Sequence, residues 1–252
     1  MSGTQSTGKR VLFALLAIVF VILLGIGLPI LAAVIEVSLS HRFPVPSMTG
    51  PTLPWLYAQH ALQTLLALVA IFLIKRFMPF DAGLRWPREK AYIWPAILWG
   101  VFFGVLMTVV DYAPDLIARH PMNLGFAVTP GSMTGWLFFE GVYVGPTEEI
   151  LFRSLLVGYL IAAMPGKVRL GRYDMSWGGV IVAAVFAFAH LASFFTRPSF
   201  AAAGQQVYAF ALGILYAYWF EKSRSVVAPI VGHNVGDVVE YAICFALIAL
   251  WS

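Results

Sequence analysis

Seven long apolar runs constrain this chain more than any other feature, because an apolar run of about 20 residues is what a helix needs to cross a lipid bilayer. The first run covers residues 11–35, directly after Lys9 and Arg10. It is longer than the roughly 7–15 residues of a signal-peptide core, so we expect it to remain as a membrane anchor. The other runs cover residues 58–74, 93–110, 134–164 with an interruption, 177–195, 207–220 and 226–250. The pattern predicts an all-α, polytopic membrane bundle of about seven transmembrane helices.

The composition agrees with a membrane protein and excludes several classes of soluble protein. Hydrophobic residues make up 60% and charged residues 11% of the 252 residues, against roughly 25% charged residues in soluble domains. The single cysteine, Cys244, excludes a disulfide framework and a thiolate zinc cluster. The net charge is +4, but the basic residues lie between apolar runs and not in a nucleic-acid-binding patch. We expect one transmembrane domain over residues 1–252, with its motif-bearing core at about residues 134–250.

The basic residues also predict the orientation of the chain, because short loops rich in Lys and Arg stay in the cytoplasm. If the N-terminus is cytoplasmic, twelve basic residues fall in cytoplasmic segments and three, Arg42, Arg119 and Arg197, fall in outer segments. The remaining one, Arg153, lies inside a span. We therefore expect an integral protein of the inner or plasma membrane of a prokaryotic cell, with the N-terminus in the cytoplasm and the C-terminus outside.

Two adjacent carboxylates stand in the fourth apolar run. Glu148 and Glu149 precede Arg153, and an ionised side chain near the bilayer centre costs at least ~2.5–3.5 kcal/mol on insertion scales. Glu149 and Arg153 are four residues apart on one helix face and can form an ion pair, whereas Glu148 points about 100° away. Glu148 is therefore a candidate general base. The alternative is a purely structural role for all three residues.

Two further runs carry histidines, whose side chains can exchange protons near neutral pH. Phe186 and His190 share one helix face in the fifth run, and His233, Asp237 and Glu240 form a stripe in the seventh run. Such polar stripes must face protein or water and not lipid. The bundle is therefore expected to enclose an intramembrane polar cavity.

These groups can meet only if their depths in the membrane agree. A fourth helix that starts at Pro146 would leave Glu148 near the outer surface and His233 near the inner one. A helix over residues 134–164 extends about 46 Å at 1.5 Å per residue and brings Glu148 close to the middle of the bilayer. Helix tilt and a bend at Gly145-Pro146 are then needed to join the polar groups.

The polar residues form three motifs, in chain order Glu148-Glu149-x-x-x-Arg153, Phe186-x-x-x-His190 and His233-x-x-x-Asp237. Their order and spacing resemble the motifs of the CPBP (Abi) family of intramembrane proteases, which includes type II CAAX prenyl endopeptidases. The resemblance implies an all-helical fold with its catalytic groups in a membrane cavity. It also implies hydrolysis of a peptide bond in a membrane-associated protein or peptide, such as a lipidated or transmembrane tail.

The resemblance implies roles for the first two motifs. Glu148 and His190 would activate the attacking water. Glu149 and Arg153 would hold the first motif in shape. Phe186 would shape the substrate pocket.

The third motif departs from the usual pattern of the family. By resemblance, His233 and Asp237 would stabilise the oxyanion of the reaction. The position of Asp237 is commonly Asn, whose amide can donate a hydrogen bond, whereas an ionised Asp can only accept one. Either Asp237 is protonated, or it orients His233 while another donor serves the oxyanion. Asn234, on a neighbouring helix face, is the candidate for that donor.

A zinc-dependent mechanism is the alternative to a glutamate-dependent one, with Glu149, His190 and His233 as the ligands. No His-Glu-x-x-His pair is present, and we favour a metal-free mechanism without a cofactor. A non-catalytic membrane protein, either an immunity or scaffold protein or a proton-coupled transporter, is the second functional alternative. The expected partners are the lipid bilayer and a membrane protein or peptide substrate, without nucleic acid or nucleotide. No chemistry is expected of the remaining histidines, His41, His60 and His120.

Overall fold

Helices make up most of the residues that the computed structural model describes, which are residues 7–42, 53–88 and 90–252. The α-helices in these ranges are α1 (Thr7–Arg42), α2 (Leu53–Lys75), α3 (Ile93–Asp111), α4 (Ala113–Ala118), α5 (Pro130–Phe138), α6 (Gly145–Glu149), α7 (Gly158–Ala163), α8 (Trp177–Ala189), α9 (Ser199–Ser223) and α10 (Val227–Trp251). The π-helical segments Phe139–Val144 and Ile150–Val157 join α5, α6 and α7. Short 3-10 helices cover Lys90–Tyr92 and Leu191–Phe195. The strands β1 (Lys167–Leu170) and β2 (Tyr173–Ser176) form a hairpin.

The membrane-spanning helices confirm the predicted fold class. In the described part of the chain, six helical segments are long and apolar enough to cross a membrane: Val11–Leu39, Leu53–Lys75, Lys90–Asp111, Trp177–Phe195, Ser199–Ser223 and Val227–Trp251. The predicted fourth span corresponds to residues 130–163. Here α5, α6 and α7 follow one another directly, interrupted only by the two π segments. We call residues 130–163 the broken helix. At 1.5 Å per residue it extends roughly 50 Å, which is enough to cross the bilayer as the seventh segment.

Three local features differ from the sequence-based expectation. The α-helix of the fifth run ends at Ala189, so that His190 caps it and does not lie inside it. The sixth helix begins at Ser199, eight residues before the apolar run, because the mostly small and weakly polar residues 199–206 are also helical. The hairpin was not expected. It turns through Gly171, whose φ of +62° lies in the left-handed region that glycine adopts without a steric penalty.

The broken helix has its irregular parts on both sides of Gly145-Pro146, the position where the sequence predicts a bend. Pro146 has no amide proton and cannot donate to the carbonyl group one turn earlier. The helix widens to the π form immediately before α6 and again immediately after it. Short π segments inside α-helices often mark functional sites, because they turn side chains away from the regular helix face. Here they flank Glu148 and Glu149.

Close packing of α10 against α3 fixes the depth of the third motif. A Cβ atom at Gly100 would lie 2.7 Å from the carbonyl oxygen of Gly232, and one at Gly104 would lie 2.5 Å from the carbonyl oxygen of Gly236. Small residues four positions apart allow two membrane helices to approach backbone to backbone. The contact holds the turn of α10 that carries His233 at a fixed height against α3.

Segments that connect the helices contact each other at the two ends of α3. Before its start, Arg85 donates a hydrogen bond from Nε to the carbonyl oxygen of Arg224, 3.0 Å away in the turn after α9. At its other end, Asp111 forms an ion pair with Arg197, which precedes α9. Burial lowers the pKa of Arg197, but the facing charge of Asp111 raises it further, so that the net direction is upward. Arg197 therefore stays charged, and its contact with Asp111 ties the two segments together.

We expect Gly104→Leu to lower the free energy of unfolding by about 1–3 kcal/mol, because a side chain in this contact must push α3 and α10 apart. Thermal unfolding of the purified protein in detergent measures the effect. Gly27→Leu is the matched control, since a Cβ atom at Gly27 has nothing within 4 Å. Equal losses in the two variants would contradict the role of this contact.

Candidate active site

The structure brings the first and third motifs into contact near the middle of the broken helix. Glu149 ends α6, and His233 lies in the second turn of α10. The Nδ1 atom of His233 is 2.8 Å from Oε1 of Glu149. The two motifs, which lie far apart in sequence, therefore share one direct hydrogen bond.

Glu149 and Arg153 form the ion pair that their spacing predicts. Nε of Arg153 lies 3.1 Å from Oε2 of Glu149, and Nη1 donates to Oε1 at 3.3 Å. Their side chains are 0% and 1% exposed. Nη2 of Arg153 donates to the carbonyl oxygen of Gly213 at 3.4 Å. The rings of Phe186 and Tyr216 lie 4.7 and 5.1 Å from the guanidinium carbon, within the range of cation–π attraction.

His233 is held on several sides. One ring nitrogen contacts Glu149, and the other, Nε2, lies 3.3 Å from Oδ2 of Asp237. Tyr216 stacks on the imidazole with 5.7 Å between ring centres and an interplanar angle of 22°. Because a neutral imidazole donates from only one nitrogen, the doubly protonated ring is the form that satisfies both carboxylates.

Glu148 and Asp237 occupy the more open side of the cluster. Each side chain is 19% exposed, whereas Glu149 is sealed. Oε2 of Glu148 lies 3.9 Å from Nε2 of His233. This distance is too long for a direct hydrogen bond. The cluster therefore has an inner layer of direct contacts and an outer carboxylate with room in front of it.

The second motif joins the cluster through Phe186 and not through its histidine. The ring of Phe186 lies edge-on to His233, with 6.2 Å between ring centres. His190 packs on Phe186 at 5.0 Å, and its Nδ1 atom is 2.9 Å from the Phe186 carbonyl oxygen. Within the described residues, His190 makes no ion-pair contact with Glu148. The structure thus places Phe186 at the centre and His190 beside it, next to the end of α8.

Asn234 binds the broken helix directly. Its Oδ1 atom accepts a hydrogen bond of 2.9 Å from the backbone amide of Gly145. A Cβ atom at Gly145 would lie 2.1 Å from that oxygen, so only glycine permits the contact. The amide of Asn234 therefore positions α6 against α10.

Sequence reasoning missed His60, which the structure places beside Glu148. His60 lies on α2, and its Nε2 atom is 4.0 Å from Oε1 of Glu148. No motif includes this histidine. Its helix, α2, lies two membrane-crossing segments before the broken helix that carries the first motif. The buried carboxylates Glu140 and Glu240, each 8% exposed, also lie near the cluster and interact electrostatically with Asp237. The polarity of Glu140 within the fourth apolar run was the available signal.

The alternative zinc ligands are not arranged around a common point. Among the residues that the structure describes, no group of three His, Cys, Asp or Glu side chains is positioned to hold a metal ion. Glu149 is engaged by Arg153 and His233, and Nδ1 of His233 is engaged by Glu149. These residues do not fit a zinc site in this arrangement.

A cavity of about 1150 Å³ lies away from the motifs. Its walls come from the start of α2, the segment 111–132, residues 196–198 and the side chains of Trp136 and Tyr241. It is mainly apolar, and the ion pair of Asp111 and Arg197 forms part of its wall. None of the three motifs contributes a residue to it.

We expect Glu149→Gln and Arg153→Met each to destabilise the protein by about 3–5 kcal/mol, because each leaves one uncompensated buried charge. The double variant should lose clearly less than the sum of the two losses. Thermal unfolding in detergent provides the measurement. Asp81 and Arg85 form the matched exposed pair at the same spacing, and breaking it should cost at most about 1 kcal/mol. Additive losses at Glu149 and Arg153 would contradict the ion pair.

Comparison with known proteins agrees with the motifs. Residues 130–239, which hold all three motifs, match the family model of the type II CAAX prenyl endopeptidase Rce1-like proteins. This is a protease family. No curated protein and no solved structure matches the chain. The matched family is consistent with the CPBP family, whose motifs the three motifs of this chain resemble.

Proposed function

We propose that this protein is an intramembrane endopeptidase that hydrolyses a peptide bond in a membrane-associated protein or peptide. One observation carries the proposal. Within a cluster of charged groups at membrane depth, the Glu148 carboxylate has room in front of it, while the adjacent carboxylate, Glu149, is sealed against Arg153 and His233. A general base needs such an accessible position, because it must reach the proton of the attacking water.

Glu148 is proposed as the base that activates water. The imidazole nitrogens of His60 and His233 lie about 4 Å from its carboxylate oxygens, so a water molecule can bridge the carboxylate and an imidazole. The sequence pairs Glu148 with His190, but His190 lies beside Phe186 and outside ion-pair distance of Glu148. The role of general base is therefore assigned to Glu148 and not to His190. His190 stays a candidate for contact with substrate at the end of α8.

His233 is proposed to stabilise the oxyanion. The ring faces Glu149 with one nitrogen and Asp237 with the other, so the imidazolium is the supported form. A fixed positive charge next to the scissile carbonyl group stabilises the negative charge that develops on its oxygen. Asp237 then acts by orienting His233. Asn234 contributes by holding α6 in place through Gly145.

The proposed mechanism is metal-free. Glu149 holds two cationic side chains, which is the arrangement of a structural carboxylate. The zinc alternative predicts that a strong chelator abolishes cleavage by the purified protein and that added zinc restores it. The metal-free proposal predicts unchanged cleavage.

We also propose an orientation with the N-terminus in the cytoplasm and the C-terminus outside, in the inner or plasma membrane of a prokaryotic cell. Contacts between loops support the grouping of segments on shared sides, and the Lys and Arg content of those segments gives the direction. The loop with Arg85 meets the turn with Arg224, and both are assigned to the cytoplasm. The segment that contains Arg197 meets the end of α3 at Asp111, and both are assigned to the outer side. Reporter fusions after Ser252 that are active only outside the cytoplasm test this orientation.

We expect Glu148→Gln to reduce proteolysis at least about 100-fold, because the amide cannot take the proton of water. Mass spectrometry of new peptide termini in membranes is the measurement, with wild type and variant at equal abundance. Asp174→Asn is the matched control, since Asp174 is an exposed carboxylate on β2. Termini that depend on Glu148 identify the substrate. If none depends on it, the proposed proteolysis is wrong, and an immunity, scaffold or transport role replaces it.

We expect Asp237→Asn to keep turnover within about tenfold of the wild type. The amide oxygen still accepts from His233, and the amide nitrogen can donate to the oxyanion. Asp237→Leu removes the partner of His233 and should lower turnover at least about 100-fold. Steady-state cleavage of a peptide spanning the identified site measures both changes. Equal activity of the two variants would contradict the orienting role of Asp237.

A further inference from the structure

Both carboxylate oxygens of Glu148 face an imidazole ring. Oε2 lies 3.9 Å from Nε2 of His233, and Oε1 lies 4.0 Å from Nε2 of His60. His233 belongs to a motif, whereas His60 comes from the third turn of α2. The side chain of His60 is 14% exposed, close to the 19% of Glu148. The two groups therefore share the open side of the cluster.

The surroundings of His60 determine which ring nitrogen carries the proton. Nδ1 lies 2.9 Å from the carbonyl oxygen of Leu56, one turn earlier on α2. A carbonyl oxygen can only accept, so Nδ1 must donate. In the neutral ring, Nε2 then presents its lone pair towards Glu148. The ring of Phe139 stands at 90° to the imidazole, with 5.0 Å between ring centres, and helps to fix its plane.

Two acceptors thus face each other across a gap of 4.0 Å. They cannot bind each other directly, but one water molecule can donate a hydrogen to each. With hydrogen bonds near 2.8 Å, the acceptors of such a water lie about 4.4 Å apart. The observed gap is close to this value. The lone pairs of a water held in this way point away from both acceptors, which is the direction from which an electrophile must approach.

We propose that His60 is a further catalytic residue, which binds the attacking water together with Glu148. This inference rests on the proposed proteolysis. The water donates one hydrogen to Oε1 of Glu148 and the other to Nε2 of His60, and its oxygen attacks the carbonyl carbon of the scissile bond. The first proton moves to Glu148, which passes it to the leaving nitrogen as the carbon–nitrogen bond breaks. The second proton stays with the water oxygen and becomes part of the new carboxyl group.

His60 takes the role that the sequence motifs assign to His190, which is to bind the attacking water together with Glu148. Both histidines have Nδ1 within 2.9 Å of the carbonyl oxygen one turn earlier, so both direct Nε2 outwards. Of these two histidines, only His60 has Nε2 within 4.0 Å of Glu148. The α2 helix, which carries no motif, therefore completes the water site.

Two isosteric substitutions separate the catalytic role from a structural one. The amide of His60→Asn reaches the position of Nδ1 and keeps the bond to Leu56, but it offers nothing at Nε2. The amide of His60→Gln reaches the position of Nε2, where its oxygen can accept from the water. We expect kcat to fall about 100-fold or more in His60→Asn and about tenfold or less in His60→Gln, with KM unchanged in both. A structural histidine would show the opposite order.

The assay uses peptides that span the site identified from the Glu148-dependent termini. Gln59→Asn, at the neighbouring position of α2, measures the effect of a Gln-to-Asn exchange on the helix itself. His120→Asn, at an exposed histidine, measures the loss of a remote imidazole. Both controls should keep the kcat of the wild type. Activity in His60→Asn equal to or above that in His60→Gln would overturn the proposal.

A measurement without turnover separates the two proposals. In protein labelled with ¹⁵N-histidine, we expect Glu148→Gln to shift the Nε2 resonance of His60 and to leave that of His120 in place. An unchanged His60 resonance overturns the shared water site, even if proteolysis depends on Glu148. If the resonance shifts but the wild type cleaves no membrane protein, the contact exists and the proposed proteolysis is what fails.

Discussion

The carboxylate of Glu149 is the contact on which the rest of the candidate site depends. It is completely buried and binds Arg153 on its own helix and His233 on α10. Three ionised groups at this depth would each be costly alone, and removing one leaves the others uncompensated. Mutual pairing therefore fixes the broken helix and α10 in one relative position. Glu148 and Asp237 point towards the open side as a consequence, because each is tied by the backbone to a member of this network.

This network also requires that two helices meet at depths that regular geometry would not give them. The pairs of small residues on α3 and α10 allow an approach that any larger side chain would prevent. The glycine at 145 allows the amide of Asn234 to reach the backbone of the broken helix. On either side of this point the helix widens to the π form. Backbone packing and helix irregularity thus provide the adjustment in depth that the charged groups need.

The sequence predicted the parts of this arrangement that depend on short spacing. Apolar runs indicated the spans, and the four-residue spacing indicated the pair of Glu149 and Arg153 and the pair of His233 and Asp237. The early start of α9, the hairpin and the π segments were missed because propensity and hydropathy carry little information about them. The approach of His60 was missed for another reason. It depends on how α2 packs against the broken helix, and a contact between distant segments leaves no periodic signal in a single sequence.

Two adjacent glutamates thus have different tasks because the helix directs them about 100° apart. Glu149 makes direct contacts of 2.8 and 3.1 Å with two cationic partners, His233 and Arg153. Glu148 has two imidazole nitrogens at 3.9 and 4.0 Å, which is too far for a direct hydrogen bond but close enough for one water molecule to bridge the groups. A carboxylate with direct cationic partners would have to break those bonds before it could accept a proton. A carboxylate with a gap of this width can bind water first, which is the physical reason for proposing the reactive role for Glu148 and the structural role for Glu149.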